Sequence, residues 1–398
     1  MSGPLSGIRV IDLTSVVSGP VSAAILAEQG ADVIKVETPT GDPIRRSRAQ
    51  LGDFSPMFIA CNRGKRSIAL DLKKPEAAEV LWLLIDKADV LIQNFRPGAI
   101  ERLGYGEPEV RKRNSGIIYM SISGVGEKGP DAKKRVYDPL IQALSGLADI
   151  QADPMTLRPR MVRTIIADKA TAVYAAQAIT AALFHRERTG QGQHVRLSML
   201  DTMLSYLWPE GMADYSVVGH EAATSTNSSH DMIFEASDGY LTVGTNSDRE
   251  WTGLCQALNR SEWRSDPRFK TPALRSTNRQ ARLLLLEEVL RENTVAHWLG
   301  VLDAADVPCA PVLRRQDIAG HPQVKASGSV ITRDQQGVGK VRFARAAARF
   351  DATPPSLTGQ APYLGEHTSS VLSELGYCKD AIRKLCELGA VQCHSVND

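Results

Sequence analysis

Apolar and polar positions along the first 125 residues alternate between two periods. Gly7-Ile8-Arg9-Val10-Ile11-Asp12-Leu13 reads as a strand, and Pro20 to Gln29, rich in Ala and Leu and closed by Gly30, reads as a helix. Asp32-Val33-Ile34-Lys35-Val36-Glu37 is the next strand. Ser67–Leu72, a helix from Pro75 to Lys87, Asp89–Gln93 and Gly116–Ile122 continue the series. Strand, helix and strand in succession predict a parallel, doubly wound, Rossmann-like α/β sheet. The first strand-to-helix turn, Thr14-Ser15-Val16-Val17-Ser18-Gly19-Pro20, is where such a sheet binds ligands. It carries one glycine where a dinucleotide fold would use three, which argues against NAD or FAD.

A longer helix, Ala170 to Arg186, ends in the turn Thr189-Gly190-Gln191-Gly192, followed by the short alternating segment His194–Leu200. Residues 209 to 230 are poor in aliphatics and rich in Ser, Thr, Asn and Gly. They read as a linker or active-site loop. A turn at Asp238-Gly239, a strand at Tyr240–Gly244 and helices from Asp248 to Leu302 predict a smaller α+β domain. The expected division is 1–205 for the large domain, 206–224 for a linker and 225–325 for the small domain. Residues 326–390 return to a discontinuous large domain, with a helix at Ser369–Leu375, and 391–398 form a disordered tail.

The 398 residues carry 47 basic and 45 acidic side chains, a net charge of +2. So even a balance offers no field for nucleic acid or an anionic membrane. The N-terminus lacks a basic segment followed by an apolar core, and no apolar run nears the roughly 20 residues of a span. Neither a secretory signal nor a membrane helix is expected. Six cysteines, at 61, 255, 309, 378, 386 and 393, form no Cys-x-x-Cys pair and have no histidine at zinc-ligand spacing. A disulfide scaffold and a metal site are not expected, and a reducing cytoplasm fits.

Asp168 stands where an apolar run, Val162–Ala167, meets the long helix Ala170 to Arg186. Read locally, it is an N-cap for that helix. A carboxylate at the start of a buried helix can also be held rigidly and shielded from water, the conditions for nucleophilic chemistry.

Several blocks around it, taken in order, resemble the class III CoA-transferases, the CaiB/BaiF or formyl-CoA transferase family. They are Leu5–Leu13, Gly30–Glu37, Asn62–Leu72, Ala88–Gly98, Leu103–Gly106, Arg135–Asp138 with Gln142–Gly146, Arg186–Gln193 and Tyr363–Thr368. The resemblance runs over roughly residues 4 to 380. It implies that Asp168 is the nucleophile and carries an aspartyl-CoA thioester between an acyl-CoA donor and a carboxylic acid acceptor, with no metal and no tightly bound cofactor. It further implies that Val16, Asn94, Phe95, Arg102 and Arg135 contact CoA, that Tyr137 and Asp138 lie near the nucleophile, and that the enzyme is an interlocked homodimer. The racemase branch of the superfamily needs a histidine base where this chain has Tyr137. None of its eight histidines falls between 100 and 184, and a tyrosine is a poor base at neutral pH. An acyl-CoA racemase is therefore the alternative reading.

Two departures stand out. Many members have Glu-Arg-Pro after the second strand, where this chain has Glu37-Thr38-Pro39. The missing cation would have to come from Arg45, Arg46 or Arg48. The glycine run of oxalate- and formate-specific members is replaced by Thr224–His230, which points to a larger acid, with succinyl-CoA as donor and a C4 to C6 acid as acceptor. Arg163 is a candidate clamp for a second carboxylate, or simply a structural cation.

Overall fold

The computed structural model describes residues 3–47, 49–153, 155–219, 232–354 and 359–394. It divides into two units: residues 1–148, 161–213 and 328–398 form one, and residues 149–160 and 214–327 the other. The short segment 149–160, read from the sequence as part of the large domain, clusters with the second unit.

The first unit is built on a seven-stranded sheet. β1 (Arg9–Asp12), β2 (Asp32–Glu37), β3 (Arg66–Leu70), β4 (Val90–Gln93), β5 (Ile118–Ser123) and β6 (Gln193–Ser198) run parallel in the order 3-2-1-4-5-6. This is the order of doubly wound dinucleotide folds, with its switch point between β1 and β4. The strands read as near-continuous apolar runs because both faces are covered. Val10, Val33, Val90, Ile118 and Met120 face α1 (Ser18–Glu28) and the long helix after residue 165. Ile11, Ile34, Leu91 and Tyr119 face α2 (Pro75–Asp86) and the two C-terminal helices. On the first face Ala23, Ala172, Ala175, Ala176 and Ala182 are buried, small residues that allow close helix packing.

The predicted turn at Gly190–Gly192 has two separate causes. Gly190 caps the helix in the left-handed conformation, at φ 73°. A Cβ on Gly192 would lie 2.2 Å from the Ile117 carbonyl oxygen, so only glycine fits there.

One expectation fails at the far end of the chain. Val391–Gln392, assigned from composition to a disordered tail, pairs antiparallel with Leu70 and Ala69 of β3 and closes that edge of the sheet. Val391 is buried in the main core, and Gln392 accepts a hydrogen bond from the Thr368 hydroxyl at 2.7 Å. Two residues are too few to show a period, so their partner strand determines their structure rather than their own pattern. A second feature absent from the sequence reading is the antiparallel hairpin of Val330–Gln335 with Gly339–Ala344.

The second unit holds a three-stranded antiparallel sheet, β7 (Ile233–Ala236), β8 (Gly239–Val243) and β9 (Cys309–Pro311), and helices at 248–257, 272–277, 279–290 and 295–304. Its core is rich in aromatics, with Trp251 stacked on Trp263 at 6.4 Å. Thr224–His230 lie outside the described residues. Among the described residues no helix is long and apolar enough to cross a membrane.

Beneath the first turn lies a buried charge network. The Lys65 ammonium donates to the Asp12 carboxylate at 2.8 Å, to the Pro20 carbonyl at 2.8 Å and to Asn62 Oδ1 at 2.9 Å. Lys35 pairs with Asp42 at 3.0 Å and donates to the Thr14 carbonyl at 2.9 Å. Neither ammonium has any exposed side-chain surface. Replacing Lys65 by Met leaves the Asp12 carboxylate buried and unpaired. Chemical denaturation of Lys65→Met is expected to show a loss of about 3–5 kcal/mol, against under about 1 kcal/mol for an exposed pair such as Arg249–Asp306.

Candidate active site

A cavity of about 280 Å³ opens at the carboxyl ends of β1, β4 and β5, on the switch point of the sheet. It is lined by Ser15, Val16 and Ser18 after β1, by Asn94 to Pro97 after β4 and by Ile122 to Val125 at the end of β5 and just beyond it. The segment Lys134 to Tyr137 and the Asp168 carboxylate complete it. Glycine at 124 lets the two loops meet, since a Cβ there would lie 2.6 Å from Val136.

The local chain explains how Asp168 is presented. Its helix, α4 (Ile166–Thr189) once α3 (Asp138–Leu144) is counted, begins four residues before the sequence pattern indicates. Asp168 is therefore in the first turn and is not the N-cap, a place taken by Ile165 without a side-chain cap. Its own amide, one of the helix's unpaired N–H groups, donates to Asp138 Oδ2 at 3.1 Å. Asp138 is buried, and its other oxygen accepts from Gln142 Nε2 at 2.6 Å. Gln142 also receives the Val162 amide at 3.0 Å and donates to the Thr164 carbonyl at 3.1 Å, fixing the approach to α4.

The carboxylate of Asp168 shares the cavity with Ser18 in the first turn of α1, whose hydroxyl and amide favour its charged form. Burial, and then the negative charge of Asp138, push its pKa up to about 6, while the Ser18 hydrogen bonds pull the other way. The group is thus ionised at neutral pH yet more basic than an ordinary carboxylate.

Ser18 itself is held by a loop under strain. Val16, β-branched, adopts φ 73°, a left-handed conformation that disfavours such side chains by about 1–2 kcal/mol. Its amide donates to both oxygens of Asp42, at 3.3 Å each, and Asp42 is the partner of buried Lys35. The Asn94 side chain accepts from the Ser15 amide at 3.0 Å and donates to the Ser15 carbonyl at 2.9 Å. Gly19 is required for packing: a Cβ would lie 2.3 Å from Thr14.

The structure brings together Val16, Asn94, Phe95, Arg135, Tyr137 and Asp168 around one cavity, with Asp138 directly behind Asp168. Tyr137 is 63% exposed at its rim. Phe95 packs on the main core and also lines the cavity. Arg102, exposed at the end of a short helix, and Arg163, also exposed, are not among the lining residues. Arg45 does not replace the missing cation. It is buried, donates to both oxygens of Glu37 at 2.7 and 2.8 Å, and lies 3.7 Å over the Phe58 ring. Arg46 is exposed, and Arg48 is outside the described residues. Sequence reasoning passed over Ser18 and Arg96, whereas Lys134 belongs to the basic cluster Lys133-Lys134-Arg135, a pattern able to hold a small polyanion. A serine two residues before a proline at a helix start was a usable signal for Ser18, but nothing local distinguishes Arg96 from a surface cation.

The family model of CoA-transferase family III matches residues 5–368. The chain belongs to this family. It is 32% identical to mouse succinyl-CoA:glutarate CoA-transferase, across 98% of this chain and 91% of the relative. It is 37% identical to the acetyl-CoA:oxalate CoA-transferase of Acetobacter aceti, across 83% and 86%. The crystal structure of a CaiB/BaiF family protein from Brucella suis superposes with a TM-score of 0.82 at 32% identity, covering 94% of this chain and all of the other. As a family III CoA-transferase it is an enzyme that uses CoA thioesters as substrates. Among the described residues no cluster of His, Cys, Asp and Glu could hold a metal ion.

Two predictions follow from the geometry of Asp168 and Val16. A carboxyl whose folded pKa lies above its unfolded value destabilises the fold once ionised, so the difference is absent below about pH 4 and complete above pH 6. Asp168→Asn should therefore melt above the wild type at pH 7.5, with the margin closing as the pH falls to 4; calorimetry across that range measures it. If Asp42 holds Val16 in its strained conformation, Val16→Gly, which adopts it freely, should restore most of the transferase rate lost in Asp42→Asn.

Proposed function

We propose that this family III enzyme transfers CoA from an acyl-CoA donor to a carboxylic acid through a covalent aspartyl-CoA thioester on Asp168. The observation that carries the reading is a half-buried carboxylate of raised pKa at the switch-point cavity, beside Ser18 at the start of α1 and backed by Asp138. The carboxylate attacks the donor thioester, giving a mixed anhydride and CoA thiolate. The thiolate attacks the aspartyl carbonyl, forming the aspartyl-CoA thioester and releasing the donor acid. The acceptor acid then attacks that thioester, and a second anhydride returns its acyl group to CoA. Activated acyl species are exchanged throughout, so no ATP is consumed.

Each attack on the aspartyl carbonyl builds negative charge on its oxygen. The Ser18 amide, at the start of α1 in the same cavity, is the donor we assign to it, supported by the partial positive charge of the α1 N-terminus. Removal of one such donor costs about 10²–10³ in rate in comparable sites. Arg96, Lys134 and Arg135 supply the positive charge that CoA phosphates require. Water would hydrolyse both anhydride and thioester, so the partial burial of Asp168 serves the chemistry as well as its basicity.

We assign succinyl-CoA as the donor and a C4 to C6 acid as the acceptor. The succinyl-CoA:glutarate relative and the glycine-free stretch at 224–230 support this. An acetyl-CoA:oxalate relative at 37% identity favours a shorter acid, so the acceptor panel must include oxalate. The racemase alternative loses support because no histidine is among the described residues lining the cavity, where Tyr137 stands at the rim. We further propose an active homodimer in the cytoplasm. Val173 and Phe184 on α4 are 58% and 63% exposed, an apolar surface of the kind a second copy would cover.

Incubation with a panel of acyl-CoAs followed by intact-protein mass spectrometry should show a hydroxylamine-sensitive adduct of CoA mass at Asp168. Asp168→Ala should retain under about 0.1% of transfer activity with CoA affinity nearly unchanged, the loss reflecting the whole covalent route. Retention of more than a few per cent would refute the nucleophile. Because the Asp138 charge contributes to the raised pKa, Asp138→Asn should shift the acid limb of the pH–rate profile to lower pH.

A further inference from the structure

The chain's cysteines fit no motif by spacing, yet the fold brings two of them together. Cys386 lies in the last turn of the helix Lys379–Glu387, and Cys393 follows the terminal strand Val391–Gln392. Gly389, left-handed at φ 62°, turns the chain back between them. Their sulfurs are 3.1 Å apart, about 1 Å beyond a disulfide bond and closer than two sulfurs at ordinary van der Waals contact. Both side chains are partly exposed, and both pack on the edge of the main core. The surroundings hold the pair in place. Ala390 and Val391 are buried, the Ala390 carbonyl accepts from the Asp71 amide, and the Lys74 ammonium donates to the Leu388 carbonyl. On the other side the His394 ring stacks on Tyr363 at 4.5 Å.

We infer that Cys386 and Cys393 form a reversible disulfide, a modification site that ties the C-terminal helix to the edge strand of the large sheet. The inference does not depend on the assigned transfer mechanism. The oxidant is the disulfide of a small thiol such as glutathione. One protein thiolate attacks a sulfur of that disulfide, the small S–S bond breaks, and the departing thiolate takes up a proton. The second protein thiol, losing its proton, attacks the protein-side sulfur of the mixed disulfide and expels the other small thiol. Two protein thiols are oxidised by two electrons, and one small disulfide is reduced to two thiols.

Cys393 is the first attacker in this scheme. The Ser369 hydroxyl donates to its sulfur at 3.3 Å and holds it in place at the partly exposed edge of the core. Burial and the neighbouring Cys393 push the Cys386 thiol up to about 11, which suits it to the slower resolving step. The remaining cysteines have different environments. Cys61 and Cys255 are buried and Cys378 is exposed. Cys378 therefore serves as an internal control for access.

The test uses the full-length wild-type protein, equilibrated with glutathione disulfide, alkylated and cleaved after Lys384 by trypsin, which leaves both cysteines on one peptide. The expected result is a peptide lighter by about 2 Da and closed to alkylation, reopened by dithiothreitol, while Cys378 carries glutathione. In Cys386→Ser the resolving thiol is gone, and Cys393 should instead accumulate a glutathione adduct. The oxidised wild type should melt a few degrees above the reduced form, with no such difference in Cys386→Ser. If Cys386 and Cys393 alkylate as fast as Cys378 and no light peptide appears, the inference is overturned. Separate glutathione adducts on both cysteines of the wild type would overturn it equally.

Discussion

A lysine ammonium with no access to water must be met by carboxylates, and two such lysines lie under the first turn of this enzyme. Lys35 and Lys65 come from or beside β2 and β3, while their partners Asp12 and Asp42 flank β1 and the loop after β2. Each ion also binds a carbonyl of the turn segment, Thr14 for Lys35 and Pro20 for Lys65. The pairs therefore fix where the backbone of 14–20 runs as well as neutralising buried charge. Ion pairs of this kind are weak evidence for stability, but each carbonyl they hold limits the loop's freedom. The left-handed Val16, the place of Ser18 and hence the orientation of Asp168 all rest on that foundation.

Two opposing influences meet at Asp168. The N-terminus of α1 and the Ser18 donors favour a charged carboxylate, and burial with Asp138 favours a neutral one. A carboxylate held only by donors would be a stable, unreactive anion. One only buried would be protonated and unable to attack. The intermediate basicity follows from placing the group between the start of one helix and a second acid.

Much of this was legible in the sequence, and the exceptions have physical reasons. Strands β1, β4 and β5 could be read because they are largely apolar on both faces, and the place of Asp168 beside a long helix because family blocks surround it. The burial of Lys35 could not be read, since a one-dimensional pattern cannot show that its face of the strand is buried against other charges. Arg45 looked available for CoA for the same reason: the bidentate bond to Glu37 is a property of packing. The beginning of α4 was misplaced because Ile166 and Ala167 continue the apolar run before it. Cys386 and Cys393 were invisible as a pair because a helix end, a glycine turn and a strand, acting together, decide their proximity.

The edge strand at 391–392 also bears on how the molecule is made. On the ribosome, β3 emerges more than three hundred residues before the strand that covers it, with the whole second unit synthesised in between. During that interval the open edge of β3 exposes unpaired backbone groups to any neighbouring chain. Completion of the large unit is thus a late event in biosynthesis, and the nascent protein passes through a stage at which chaperone cover matters most.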